Sequence, residues 1–208
     1  MLKFAQWVEA ESLTVQNNGG SAVFVTRHPT VSDAGLRDRL WYLYQDAYSP
    51  MATESPSHEM LFRHEFDEAI DDPDNRLWVL WDDDRPIAMT LIATDIGPTR
   101  YLSRAYFDQR HSGRQVHYIM WLVVHPVFAA QGAIIRLAKE VLRREAADGA
   151  LLVFDAPLVH QAGPEGGFAE MMARLAKSFV GPAPVTMLGA SYYYAVDFAQ
   201  VPAVAPAS

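Results

Sequence analysis

The chain is predicted to be a mixed α/β (α+β) protein, built as a central mixed β-sheet with helices on both faces. Three observations carry that expectation. Residues 116–124, VHYIMWLVV, form an unbroken apolar, β-branched and aromatic run, too short and too rich in β-formers for a helix, so it reads as a fully buried central strand. Pro126 closes the run, because proline cannot donate to a ladder. After a small-residue loop through Gly132, Ile134, Leu137, Ala138, Val141 and Leu142 recur at helical spacing, with Arg136, Lys139, Glu140, Arg143 and Arg144 opposite. Upstream, 77–81 (LWVLW) and 87–96 (IAMTLIATDI) flank the polar turn 82–86, which is the pattern of an antiparallel hairpin. A hairpin followed by a strand–helix–strand unit gives a sheet of mixed direction.

The remaining elements follow in order. Residues 1–20 are a lead segment ending in Asn17-Asn18-Gly19-Gly20, a turn or linker signal; its Phe4, Trp7 and Val8 either dock a short helix on the body or leave the segment frayed. The domain proper spans 21–198. Ser21–Thr26 reads as its first strand. A helix starts near Thr30–Asp33, all capping-type residues, buries Leu36, Leu40, Leu43 and Ala47 with Tyr42 and Tyr44 beside them, and stops at Ser49-Pro50. Ser55-Pro56 opens a second helix, carrying Phe62, Phe66, Ala69 and Ile70 and ended by Asp71–Asn75. Residues 97–115 are irregular, with Arg100, Arg104, Arg110 and Arg114 among Tyr101, Tyr106 and Phe107; so long a loop in a compact domain is usually functional or mobile. Leu151–Phe154 is a second buried strand, ending at Asp155-Ala156-Pro157, and 158–167 is a loop. Phe168, Met171, Met172, Leu175 and Phe179 form the stripe of a last helix halted by Gly181-Pro182. Val185–Phe198 reads as one or two closing strands, and 199–208 as a disordered tail.

Composition narrows the function. A net charge of −8 and a pI near 5.3 argue against a nucleic-acid binder. The absence of cysteine removes disulfides, thiolate metal sites and cysteine nucleophiles together. No apolar run approaches the ~20 residues of a membrane span, and the N-terminal MLKFAQWVEAESL carries charges where a signal peptide needs an apolar core. A cytoplasmic protein without a membrane partner is the expectation.

The stretch 122–134, within this element order, resembles the GNAT superfamily of acyl-CoA N-acyltransferases. Leu122, Val124 and Pro126 fall in the alternating register that family places before its phosphate loop, and Phe128 fits the aromatic that precedes the loop. The family loop reads Gln/Arg-x-x-Gly-x-Gly/Ala; here Ala129 stands at the first position, Gly132 at the middle glycine and Ile134 at the last small position. The resemblance in element order covers 21–198. It implies transfer of an acyl group from an acyl thioester, acetyl-CoA or an acyl carrier protein, to the amine of a small-molecule or amino-acid-like acceptor in a ternary complex. It also implies that backbone groups of Leu122, Val123 and Val124 bind the pantetheine arm, while N–H groups of Gln131, Gly132, Ala133 and Ile134 take the pyrophosphate with the help of the helix dipole. The departures at Ala129 and Ile134 remove a charge-assisted contact worth about 1.5–3 kcal/mol and put a branched side chain near the phosphates. They leave open a carrier-protein donor, or a non-catalytic GNAT-like scaffold that has lost coenzyme A.

Acyl transfer needs a held thioester, a deprotonated amine and a stabilised oxyanion. Tyr118 and His117 are the polar side chains on the central strand; alternation sets them on opposite faces and puts Tyr118 with Met120, Leu122 and Val124. Either serves as base or is a satisfied polar group under a helix. Asp155 ends the next strand, where ligand crevices of open α/β sheets lie; it orients amine or base, or caps the turn before Pro157. Tyr193, within Tyr192–Tyr194, lies where the resemblance implies a phenol to protonate the leaving thiolate, and equally suits a half-buried β surface. Arg104, Phe107 and Trp121 are the substrate-binding candidates. The loop arginines suit a carboxylate or phosphate on an acceptor or carrier protein, or a solvated surface. His58, Glu59, His64 and Glu65 lack the i, i+4 spacing of a helical metal site, so no metal is expected. Asp82–Asp84 reads as a solvated turn, and a homodimer remains open.

Overall fold

In a computed structural model, which describes residues 22–53, 60–156, 167–190 and 195, the predicted central strand is present over its full length. Five strands form one sheet in sequence order: β1 (Val23–His28), β2 (Asn75–Asp82), β3 (Arg85–Ala93), β4 (Val116–Val124) and β5 (Leu151–Val153). Neighbours from β1 to β4 are antiparallel and β5 runs parallel to β4, so the sheet is mixed as expected. The helices are α1 (Ala34–Ala52), α2 (Arg63–Asp71), α3 (Arg104–Arg110), α4 (Ala133–Ala147) and α5 (Phe168–Phe179). α4 and α5 cover one face, packing Leu137, Val141, Met172 and Leu175 against Ala88, Ile92 and Ile119. α1 and α2 cover the other, where Leu40, Tyr44, Phe66 and Ile70 meet Val79, Leu91, Trp121 and Val123.

Several boundaries differ from the expectation for local reasons. α1 continues through Pro50 to Ala52. In the last turn the missing proline N–H costs a single bond, and Ser49 Oγ donates to Gln45 O (2.7 Å) while Thr53 Oγ1 donates to Pro50 O (2.8 Å). α2 begins at Arg63, with the Phe62 N–H donating to the Glu65 carboxylate at 2.7 Å. The Ser55-Pro56 start therefore falls outside the helix, and both residues lie outside the described chain. The 97–115 stretch holds a helical turn, α3, whose N-cap Ser103 accepts from the Tyr106 N–H. The Asp82–Asp84 turn is more than solvated charge: Asp83 takes φ 53°, which a short carboxylate side chain tolerates, and its Oδ1 accepts from the Ala22 N–H at 2.8 Å, tying the start of β1 to the turn. The described part of the proposed closing strands, residues 185–190 and 195, forms no strand and lies outside the sheet. No helix among the described residues is long and apolar enough to cross a membrane.

One irregularity in β4 governs the site. Leu91 pairs with Trp121 but Ile92 pairs with Ile119, so Met120 is an extra residue with no opposite number on β3. Such a bulge shifts the alternation by one position. Tyr118 and Met120 therefore face α1 and α2, as does Trp121, whereas Leu122 and Val124 pack on the α4 face. Simple alternation had grouped Tyr118 with Leu122 and Val124; the bulge separates them.

Candidate active site

β4 and β5 separate just before the bulge. Their ladder comprises Val116–Tyr118 against Leu151–Val153 and ends there, while β4 runs on to Val124. The His125 N–H donates to Ile87 O at 2.8 Å. By alternation the backbone groups of Val123 also point to β3, and those of Leu122 and Val124 point into the opening. No other described strand pairs with that edge of β4. Beside it, the chain passes through a 3-10 segment, Pro126–Gln131, to Gly132 at φ 72°, a left-handed conformation in which glycine carries no steric penalty. A Cβ built at Gly132 would meet no atom within 4 Å, so the surface above this turn is open. The N–H groups of Ile135 and Arg136 donate to Gly132 O; those of Ala133 and Ile134 belong to the first turn, which a helix leaves without intrahelical acceptors. The Ala133 and Ile134 side chains are buried against the sheet. Ile134 thus points into the core and not over the helix end, as its branched shape had suggested. Gln131 is exposed and its side chain folds back to donate to Val127 O.

At the mouth of the opening, on the α1 side, one phenol meets a carboxylate, with further tyrosines beside it. The Tyr118 hydroxyl, on a side chain only 4% exposed, donates to Asp155 Oδ1 at 2.6 Å. Asp155 follows the last residue of β5 by two positions, so the separation of the strands is what brings it over Tyr118. Burial, then the Asp155 charge and the hydrogen bond to it, hold the Tyr118 phenol far above its ordinary range. It is a neutral hydrogen-bond donor at physiological pH. Tyr101, 70% exposed, leans on Tyr118 with ring centroids 6.5 Å apart. Tyr44 and Tyr48, one turn apart on α1, stack at 5.0 Å. Burial pushes Tyr44 up to about 12, and Tyr48 is raised first by burial and then by Tyr44 and Asp155. The approach of Tyr48 from α1 and of Tyr101 from the loop to the Tyr118–Asp155 pair carries no signal in one dimension.

His117 points the other way. It is 2% exposed and hydrogen-bonds through Nδ1 to Glu145 of α4, itself 3% exposed. Arg76 of β2 bridges Glu145 (3.0 Å) and Asp148 (2.7 Å), and Arg144 adds a contact to Asp148 at 3.1 Å. Burial acts to raise Asp148, but the Arg76 hydrogen bond and the Arg76 and Arg144 charges outweigh it and leave the carboxyl below its ordinary value. His117, Glu145 and Asp148 offer ligand atoms within 4.8 Å of one another, yet the Arg76 guanidinium already supplies the cation between the two carboxylates. The cluster is a buried ion network and not a metal cradle, and His117 is shut away from the opening.

The remaining candidates are placed as follows. Trp121 is 5% exposed, wedged between Tyr44 (5.7 Å) and Phe66 (5.8 Å), so it belongs to the core and not to a substrate surface. Phe107 is buried against Tyr118, Ala93 and Val153, and so supports the site from behind instead of contacting a substrate. Arg104 pairs with Asp95 (2.9 Å) and approaches Asp108 (3.9 Å). Arg110 lies over the Tyr106 ring and Arg114 donates to Gly149 O. Glu65 caps α2, and His64 stacks on Phe62. Tyr193, His58, Glu59 and His160 lie outside the described residues. A separate groove of about 280 Å³ runs between α1 and the β2–β3 turn, reaching His125. Its arginines are engaged, Arg39 with Asp84 O and Arg85 with His125, and it lies apart from the phenol cluster.

Comparison with known proteins agrees with this geometry. The model of the acetyltransferase (GNAT) family matches residues 37–156, from α1 through Asp155. An aminoglycoside acetyltransferase from an uncultured soil metagenomic sample, solved with sisomicin, superposes with a TM-score of 0.52 at 14% identity, covering 84% of this chain and 95% of that one. A Pyrococcus horikoshii protein provisionally classed as an acetyltransferase gives a TM-score of 0.52 at 14% identity, over 65% of this chain and 81% of its own. Such identities speak for the fold. No curated protein sequence matches the chain. With more than half of its length matched by the family model, and a split sheet edge beside an open helix N-terminus, the chain belongs to the acetyltransferase (GNAT) family.

Proposed function

We propose that the chain is an N-acetyltransferase that moves the acetyl group of acetyl-CoA to the amine of a small molecule by direct attack. The observation that carries the reading is the opening between β4 and β5 with Asp155 and Tyr118 at its mouth. Backbone groups of Leu122 and Val124 take the amide-rich pantetheine arm as a further strand would be taken. The N–H groups of Gly132, Ala133 and Ile134 at the positive end of α4 take the pyrophosphate. Ala129 removes the loop's own basic or amide side chain, so this binding is a backbone affair.

The acceptor amine enters from the α1 side. Asp155 receives its ammonium and draws off a proton, directly or through one water, which frees the lone pair for attack. A C–N bond forms at the acyl carbon, the nitrogen of the adduct gives up its extra proton to water, the C–S bond breaks, and the departing thiolate takes a proton from water. Tyr118 fixes the Asp155 carboxylate in place; such a charge-assisted bond is worth about 1.5–3 kcal/mol. Met120, left out of the β3 ladder by the bulge, offers its N–H toward the developing oxyanion. The burial of Ile134 and Trp121 in the core favours this reading over a scaffold with a blocked cleft, and the internal engagement of Arg104, Arg110 and Arg114 favours coenzyme A over a carrier protein as donor.

The test is calorimetric titration with acetyl-CoA, followed by amine-dependent release of free thiol. Micromolar binding and release that falls on Asp155→Asn are the expected results. Failure of acetyl-CoA to bind, with the pantetheine fragment bound or not, overturns the proposal.

A further inference from the structure

The family loop carries a glutamine or arginine at its first position, and here that position is Ala129. A cation stands beside the same loop on a different strand. Arg85 opens β3, two residues before Ile87, whose carbonyl accepts the His125 N–H at the end of β4. The ladder thus brings the start of β3 beside the chain that leaves β4 for the loop. Two side chains of that chain hold the Arg85 guanidinium. Its Nη2 donates to His125 Nε2 at 2.7 Å, and its Cζ lies 5.3 Å from the centroid of the Phe128 ring. His125 and Phe128 meet edge to face at 5.6 Å, so the three side chains form one cluster.

An arginine only donates, so His125 must present a bare Nε2 to it. Burial and then the Arg85 charge lower the imidazole's pKa and favour that neutral form, against an opposing pull from Asp46. Phe128 immediately precedes Ala129, and at the 3-10 rise Gly132 lies about 8 Å further along the segment.

An arginine that served only the turn would be indifferent to what binds at the loop. Three features point instead to an anion. Arg85 is exposed, so its head is accessible from solvent. The guanidinium is a planar fork of N–H donors matched to phosphate oxygens, and the His125 bond uses one of them. The Phe128 face and His125 restrict the side chain, which lowers the entropy cost of ordering it on a ligand. The chain's net charge of −8 opposes a polyanionic cofactor, so a cation fixed beside the loop matters more here than on a neutral protein.

We propose that Arg85 binds a phosphate of coenzyme A, replacing from β3 the side chain that the loop lacks at Ala129. This rests on the acetyltransferase reading and adds a side-chain contact to the backbone donors of α4. The group recognised is a phosphate, either of the pyrophosphate or at the ribose 3′ position.

The test titrates acetyl-CoA and 3′-dephospho-acetyl-CoA by calorimetry into the full chain and into Arg85→Gln and Arg85→Lys. Arg85→Gln is expected to weaken acetyl-CoA about ten-fold or more, the scale of one charge-assisted bond. Arg85→Lys should recover part of that loss, because the charge returns without the fork. A loss confined to acetyl-CoA assigns the contact to the 3′-phosphate; an equal loss for both ligands assigns it to the pyrophosphate. S-acetylpantetheine, which has no phosphate, should bind the native and Arg85→Gln chains alike, and a thermal melt checks that the exposed substitution leaves the fold intact. Acetyl-CoA binding by Arg85→Gln within about two-fold of native, or weakening of S-acetylpantetheine by the same factor as acetyl-CoA, overturns this proposal alone. Failure of the native chain to bind acetyl-CoA overturns it together with the acetyltransferase reading, so the two failures are distinguishable.

Discussion

His117 and Tyr118 are consecutive residues of β4, and each meets a carboxylate, yet the two meetings have opposite consequences. On the α4 side, His117, Glu145, Arg76 and Asp148 pair with one another in the interior. On the α1 side, Tyr118 is neutral and its partner Asp155 sits at the surface with no ion pair among the described residues. A pair closed on itself is architecture; a pair with a surplus charge at an open edge is poised to bind. Residue type alone does not tell them apart, since a buried histidine–glutamate pair looks the more chemical of the two.

The sharpest way to break that contrast is to remove one partner from each side. Glu145→Ala leaves His117 and Arg76 without their buried partner and should cost about 3–5 kcal/mol of stability in urea unfolding; a change below about 1 kcal/mol would mean the network does not hold α4 to the sheet. Asp155→Asn should do the reverse. Its effect on unfolding should stay under about 1 kcal/mol, as for an exposed substitution, while kcat/KM for the amine falls on the order of 100-fold. Equal destabilisation by the two variants would erase the distinction.

Alkaline pH probes the phenol side alone. Tyr44, Tyr48 and Tyr118 have folded values raised above the unfolded value of 10.0, so near and above that pH the native state holds protons that the unfolded chain releases. The stabilisation is complete below about pH 10 and is lost as pH rises, with a slope of about 1.4 kcal/mol per pH unit for each phenol kept neutral. Ultraviolet titration should show these phenols ionising together with unfolding, and ionisation of all nine tyrosines near pH 10 in the folded chain would contradict the burial of these three. The smallest effect is expected at the loop. Gly132→Ala meets no neighbouring atom, so its cost is the left-handed backbone alone, about 1–2 kcal/mol. It should appear as a raised KM for acetyl-CoA with kcat for the bound complex little changed.

Much of this was readable in one dimension because it rests on local physics. The apolar run 116–124, the hairpin around Asp83-Asp84 and the amphipathic stripe from Ile134 to Leu142 mark their elements through periodicity and turn chemistry. Tyr118 and Asp155 could be singled out from their strand positions, although their bond to each other could not. What one dimension could not show is set by distant chain: α1 and α2 close over Trp121, and Asp95 pairs with Arg104.

What the amino-acid order determined by itself is the set of elements, the glycine turn at the start of α4 and the family resemblance, all properties of short segments. Tertiary structure decided which side of the strand does chemistry. The bulge at Met120 depends on how β4 seats against β3, and it turns Tyr118 toward α1 while sending Leu122 and Val124 to α4. The meeting of Tyr48 and Tyr101 with the Tyr118–Asp155 pair joins α1, the loop after β3, β4 and the end of β5. Contacts among such distant segments are set by packing, which no local pattern of residues encodes.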